Sequence, residues 1–242
     1  MTKRIAMWSG PRNISTAMMR SFENRPDCTV VDEPFYAYYL SQTKSPHPMF
    51  DEVVASQPLE YAQVATDMTS ADFKSEIQYQ KHMTHHMLPG CDLSWTAKLN
   101  HCFLIRDPAE VINSYTNARG ICSSDDIGII RQYELYEAIS STSKQPIPVI
   151  DSNDVLQHPD VMLPKVCLAL GIEFEPAMLS WPKGRRESDG VWAEHWYKSV
   201  VSSTGFSTRV VAEVKLNNAQ QALAVKLQPY YEKLKARAIS PN

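Results

Sequence analysis

Short apolar runs alternate along the chain with segments of helical spacing. Ile5-Ala6-Met7-Trp8 is a continuous apolar run after a charged start and predicts a buried first strand. Turn residues follow in Ser9-Gly10-Pro11-Arg12-Asn13. Ser15 to Phe22 then places Ala17, Met18 and Phe22 on one helical face. Cys28 to Val31 predicts a second strand, and Thr43 to Pro58, rich in Pro and Ser, a loop with local helix. Asp72 to Met87 has helical spacing and several histidines. Leu99 to Ile105 predicts a third strand ending at Arg106-Asp107-Pro108, and Glu110 to Asn117 a helix. Ile127 to Ser140 reads as an amphipathic helix, Pro148-Val149-Ile150 as a buried strand, and Pro159 to Leu170 as a helix closed by Gly171. Trp181 to Trp196 is a polar, aromatic loop of functional type. Ala212 to Lys235 is a long amphipathic helical region interrupted near Pro229. Strands alternating with helices predict an α/β fold, a central parallel sheet with helices on both faces. The expectation is one domain over residues 1–242, with its core at about 4–200 and a C-terminal helical region at about 209–238.

Composition narrows the function classes. A chain of 242 residues with 43% hydrophobic residues can bury a sizeable core. The net charge of −3 is no surface for nucleic acid or an anionic membrane, so any anion site must be local. The five cysteines, Cys28, Cys91, Cys102, Cys122 and Cys167, are scattered and never in C-x-x-C spacing, which argues against a disulfide framework or a zinc site. The N-terminus MTKRIAMWSG reaches Ser, Gly and Pro too soon for a signal peptide, and no apolar run approaches the roughly 20 residues of a membrane span. A cytoplasmic protein is expected.

Candidate chemistry begins at the loop Gly10-Pro11-Arg12-Asn13-Ile14-Ser15-Thr16, between a strand and a helix. Such a loop aims free N–H groups and the positive end of the helix at one point, which suits a phosphate. Ser15 and Thr16 add hydroxyl donors, and Arg12 adds a charged fork. A plain strand-to-helix turn with a Ser cap fits the same residues. The ATP-type pattern G-x-x-x-x-G-K-[ST] is not met, since no Gly-Lys pair precedes Ser15. Val30-Val31-Asp32-Glu33 imitates the strand end that ligates magnesium, with Asp32 as ligand, and keeps an ATP-dependent phosphotransferase open.

A second strand end carries Arg106-Asp107-Pro108, with Ser114 eight positions after the Arg and two turns into the next helix. An Arg at that end faces the ligand crevice of an open sheet. With this pair, about 90 residues after the first loop, the sequence resembles the sulfotransferase family. Residues 11–16 resemble its 5′-phosphosulfate loop, and Arg106 with Ser114 its 3′-phosphate motif. Ile150-Asp151-Ser152-Asn153-Asp154-Val155-Leu156, Pro159 and Lys165 to Gly171 follow a further stretch of the family pattern. Pro182-Lys183-Gly184-Arg185 with Asp189-Gly190-Val191-Trp192 is a looser echo of its C-terminal loop. Three positions depart from the pattern: Arg12 stands for Lys, Asn13 for Ser, and Ile14 for Gly, the last implying a less close backbone approach to phosphate.

The resemblance implies 3′-phosphoadenosine 5′-phosphosulfate as co-substrate, no metal, a P-loop-like sheet, and a small hydroxyl- or amine-bearing acceptor. Pro11, Arg12, Asn13, Ile14, Ser15 and Thr16 would hold the 5′-phosphosulfate. Arg106 and Ser114 would hold the 3′-phosphate, with Lys183, Gly184 and Arg185 closing over it. Two assignments of the base stay open: Glu33, after the second strand, or a histidine among His82, His85 and His86, with Lys81 at the leaving group. Trp192, Trp196 and Tyr197 wall the acceptor, stack on adenine, or pack in the core. A non-catalytic nucleotide-binding module is the remaining alternative.

Overall fold

A computed structural model describes residues 2–70, 75–207 and 214–242. Five parallel strands form one sheet: β1 (Lys3–Ser9), β2 (Cys28–Asp32), β3 (Ile77–Met83), β4 (Asn100–Ile105) and β5 (Val149–Asp151), in the order β2-β3-β1-β4-β5. The central strand β1 is apolar on both faces because helices cover both. Its Ile5 and Met7 join the core on one side, Ala6 and Trp8 the core on the other.

The helices divide between these faces. On the first lie α1 (Ser15–Glu23), α2 (Tyr36–Thr43), α3 (Phe50–Ser56), α8 (Ser152–Gln157), α9 (Pro159–Ala169) and the short turns α10 (Ala193–Trp196) and α11 (Lys198–Val201). On the second lie α4 (Tyr61–Ser70), α5 (Pro108–Arg119), α6 (Ser124–Ile127), α7 (Ile129–Ser140) and α12 (Asn218–Lys235). Phe22 of α1 stacks on Tyr79 of β3 at 4.4 Å between centroids, locking the helix to the sheet. Burying such a ring stabilises by about 2–3 kcal/mol.

The predicted helix at Asp72 to Met87 is a strand over Ile77–Met83 followed by one short 3-10 turn at Thr84–His86; residues 71–74 lie outside the described ones. The cause is chemical. β3 lies between β2 and β1, fully buried, yet carries Gln78, Gln80, Lys81 and His82. On the face of α4, Gln78, Gln80 and His82 form a chain of hydrogen bonds, in which Gln78 Nε2 alone has no partner among the described residues. Gln80 Nε2 donates to Gln78 Oε1 at 2.7 Å and to the Met68 carbonyl at 2.8 Å, and Gln80 Oε1 meets His82 Nε2 at 3.0 Å. His82 stacks on Trp8 at 4.5 Å. It therefore faces away from Lys81.

Two further boundaries differ. The stretch Ile127 to Ser140 is split at Gly128, whose φ of 72° ends α6 before α7 begins. The terminal helix is not interrupted at Pro229: α12 runs through it, because Leu227 and Leu234 on either side remain buried. Helices α2 and α4 were not expected. No helix among the described residues is long and apolar enough to cross a membrane.

Candidate active site

Parallel pairing brings all five strand ends to one edge of the sheet. Ligands bind such sheets where neighbouring strands send their connections to opposite faces. Here β1 and β4 are that pair, since α1 leaves for the first face and α5 for the second.

The β1–α1 loop is bent and firmly held. Arg12 (φ 61°) and Ile14 (φ 56°) are left-handed. For a β-branched residue that conformation costs roughly 1–2 kcal/mol, and it persists only where the surroundings impose it. Asn13, between them, is pinned from both sides. Its Nδ2 donates to the Leu104 carbonyl at 3.1 Å, and its own carbonyl accepts from Ser152 Oγ at 3.0 Å. Ile14 packs on the first core and so adopts the backbone shape that the family's glycine would supply. It gives α1 no side-chain cap, so the first-turn N–H groups of Ser15 and Thr16 have no partner within the helix.

Across the crevice, Asp107 caps α5 by accepting from Ala109 N–H at 2.9 Å, and Pro108 starts the helix. Arg106 Nη1 donates to the Arg12 carbonyl at 2.9 Å, while its Nε pairs with Glu110 at 2.9 Å. Arg12 Nε donates to Ser114 Oγ at 2.9 Å. The two anion loops expected from sequence are therefore in direct contact.

Beside them lies a buried charged cluster. Lys81 Nζ contacts Glu33 Oε1 at 2.6 Å and Asp32 Oδ1 at 3.0 Å, and also donates to Tyr197 Oη. Tyr197 Oη donates to Asp32 at 2.8 Å and accepts from Trp192 Nε1 at 3.1 Å. The Gly190 N–H completes the Asp32 shell at 3.1 Å. Glycine is required there, because a Cβ would stand 2.1 Å from the Trp192 ring. Burial pushes the Glu33 carboxyl above its ordinary value, Asp32 adds to this, and Lys81 opposes it. Burial alone would depress the Lys81 ammonium, but Asp32 and Glu33 hold it above an ordinary lysine.

Glu33, Lys81 and Tyr197 of this cluster line a cavity of about 310 Å³. Its wall includes Pro11 to Thr16, Glu33, Lys81, His85, His86, Arg106 and Ser114. His86 Nε2 lies 3.9 Å from Glu33 Oε2. Burial pushes His85 down to about 3 and His86 well below the usual histidine range, so both are neutral at pH 7. Lys183, Gly184 and Arg185 are not among the wall residues. The Gly184 N–H donates to the Val201 carbonyl at 2.9 Å, just behind the wall residue Val200, and the stretch that follows is held by Arg20, which grips Asp189 with two bonds of 2.5 and 2.7 Å. Sequence reasoning missed Tyr36, Tyr39, His47 and Arg119, which also line the cavity. For the two tyrosines the available signal was the aromatic density of Phe35-Tyr36-Ala37-Tyr38-Tyr39, two positions after Glu33.

Comparison with known proteins agrees with this architecture. A family model described as a sulfotransferase domain matches residues 3–238, and the chain belongs to that family. The branched-chain-amino-acid aminotransferase-like protein 1 of Arabidopsis thaliana is 34% identical over 204 residues, 84% of this chain but 36% of that protein. The chain thus spans about a third of that relative's length. Among solved structures, the sulfotransferase domain of the Synechococcus PCC 7002 olefin synthase superposes with a TM-score of 0.60 at 14% identity, covering 96% of this chain and 95% of that one. Mouse sulfotransferase SULT7A1 complexed with PAP does so with a TM-score of 0.51 at 12% identity, covering 98% and 89%. These structural likenesses establish the P-loop-like α/β fold.

Proposed function

We propose that the protein transfers a sulfuryl group from 3′-phosphoadenosine 5′-phosphosulfate to a hydroxyl or amine of a small acceptor. The observation that carries this reading is the joined pair of anion loops, Arg12 to Ser114 and Arg106 to the Arg12 carbonyl, opening on the same cavity as Glu33 and Lys81. Ser15, Thr16 and the start of α1 would take the 5′ end of the donor, and Arg106 with Ser114 the 3′-phosphate. In the transfer an acceptor oxygen or nitrogen bonds to sulfur as the bond from sulfur to the 5′-phosphate oxygen breaks, leaving adenosine 3′,5′-bisphosphate.

Glu33 takes the acceptor proton. A carboxylate whose pKa is raised by burial is a better base than a histidine held near 3. Lys81 offsets the charge of Glu33 and Asp32, and its ammonium beside the reacting centre favours negative charge building on the leaving oxygen. Tyr197 and Asp32 position Lys81.

The same geometry weighs against an ATP–magnesium phosphotransferase. Asp32 Oδ1 is engaged by Lys81 and Tyr197, and its Oδ2 by Tyr197 and Gly190, so neither oxygen is disposed to ligate magnesium. Thermal-shift titration separates the two. Adenosine 3′,5′-bisphosphate should raise the Tm without metal, and Arg106→Ala should remove that shift. Stabilisation by ATP–magnesium alone would sink the proposal.

A further inference from the structure

The cavity has a second wall whose chemistry differs from the anion loops. Tyr36 and Tyr39 both stack on His86, at 4.7 and 4.9 Å between centroids. Arg119, in the last turn of α5, joins this wall. Its Nη1 donates to Tyr115 Oη at 2.9 Å and to His47 Nε2 at 3.3 Å, and its guanidinium lies 5.0 Å from the Trp196 ring centroid. Because His47 accepts at Nε2, its proton sits on Nδ1, which faces Tyr36 Oη at 2.7 Å. Burial and the Arg119 charge push His47 down to about 4, so it is neutral at pH 7.

Every partner of Arg119 is thus uncharged. Among the described residues no carboxylate stands within ion-pair range of it. Asp126 lines the same cavity, but its Oδ2 accepts from the Ser123 N–H and hydroxyl in the capping box of α6. The Nε–Nη2 edge of the fork makes no hydrogen bond among the described residues, and that edge matches a carboxylate with two parallel bonds. His85 and His86 also present buried Nδ1 atoms without a hydrogen-bond partner among the described residues.

We infer that Arg119 recognises a carboxylate on the acceptor, so that the preferred acceptor is a small, flat molecule with a carboxylate at one end and a nucleophilic hydroxyl or amine at the other. This rests on the sulfuryl-transfer reading for the nucleophilic end. The stacked rings of Tyr36, Tyr39 and His86 favour a flat body between the two ends. Glu33 and Asp126 in the same cavity favour one negative charge over two on the acceptor.

The test is calorimetric. 4-Hydroxyphenylacetate and its methyl ester are titrated into the protein saturated with adenosine 3′,5′-bisphosphate, for wild type and Arg119→Gln. The acid should bind wild type at least about 10-fold tighter than the ester, as a charge-assisted bidentate contact warrants. In Arg119→Gln the ratio should fall to about one, with bisphosphate affinity unchanged. If that variant does not fold, Arg119→Lys, which keeps the charge and loses the fork, should retain part of the preference. Equal binding of acid and ester, no binding of either, or a ratio that survives Arg119→Gln overturns the assignment. So does a variant that loses bisphosphate affinity as much as acid affinity, since Arg119 would then serve the donor. A protein that refuses the bisphosphate yet discriminates acid from ester in its absence contradicts the donor reading alone.

Discussion

Glu33 and Lys81 illustrate what single residues reveal and conceal. Each was legible in the sequence as a catalytic candidate, but as a rival belonging to a different scheme. Lying 48 positions apart, they become neighbours at 2.6 Å only because β2 pairs with β3 in a register that sets Asp32 opposite Lys81. No local pattern carries that information. The two act as one unit on the proposed reading. Glu33→Gln should lower kcat by roughly 10²–10⁴-fold, the usual worth of a general base, with bisphosphate affinity within about twofold of wild type. In wild type kcat/KM should rise with pH as the raised Glu33 carboxyl ionises, and that limb should vanish in the variant. A Gln variant of near wild-type rate would hand the role to a histidine.

At the scale of elements, the strands legible in the sequence were those made of apolar runs, and β3 was not one of them. Its Gln78, Gln80 and His82 form a hydrogen-bonded ladder inside the protein, and a buried polar ladder reads like a helix with a wet face. Pro229 misled in the opposite sense. A proline inside a helix removes one hydrogen bond and crowds the preceding turn, yet the packing of Leu227 and Leu234 holds α12 together. Pro229 itself is exposed. Pro229→Ala should therefore stabilise the fold by about 1–3 kcal/mol, read as a higher urea midpoint at constant slope. A lower midpoint would mean that the ring makes contacts worth more than the lost helix bond.

For the whole molecule, five histidines are buried or half-buried with depressed pKa values. Burial holds His82 and His85 near 3 and His47 and His101 near 4, with His86 well below its usual range. Each unfolded histidine takes up a proton near 6.5 that the folded one refuses. Their contribution is fully present above pH 6.5 and is lost as pH falls towards the folded values. At pH 5.5 each costs up to about 1.4 kcal/mol. Glu33 has the opposite sign, because its raised pKa adds stability at low pH, but it is one group against five. The urea midpoint should drop clearly between pH 7.5 and 5.5 and change far less between 7.5 and 8.5, where the buried thiols, held above their ordinary range, begin to cost stability. No drop would mean that these rings are charged in the folded state. The overall α/β architecture was legible because strand and helix signals alternate; this acid sensitivity was not, because histidine burial depends on which helix covers which ring.

Helix α5 carries Ser114, which accepts from Arg12, and Arg119, which bonds His47 on the other wall of the cavity; these are the donor and acceptor sides of the proposed reading. Five residues of helix advance roughly 7.5 Å along a stiff axis. On the proposed reading the two substrates are therefore gauged by one rigid ruler. Selection would act on acceptor length as well as on charge: a molecule too short cannot span from Arg119 to the reacting sulfur, and one too long must buckle away from the line of attack. Changing the length of that helix would retune which acceptors fit, within the limit set by Val111, Ile112 and Tyr115, which tie it to the second core.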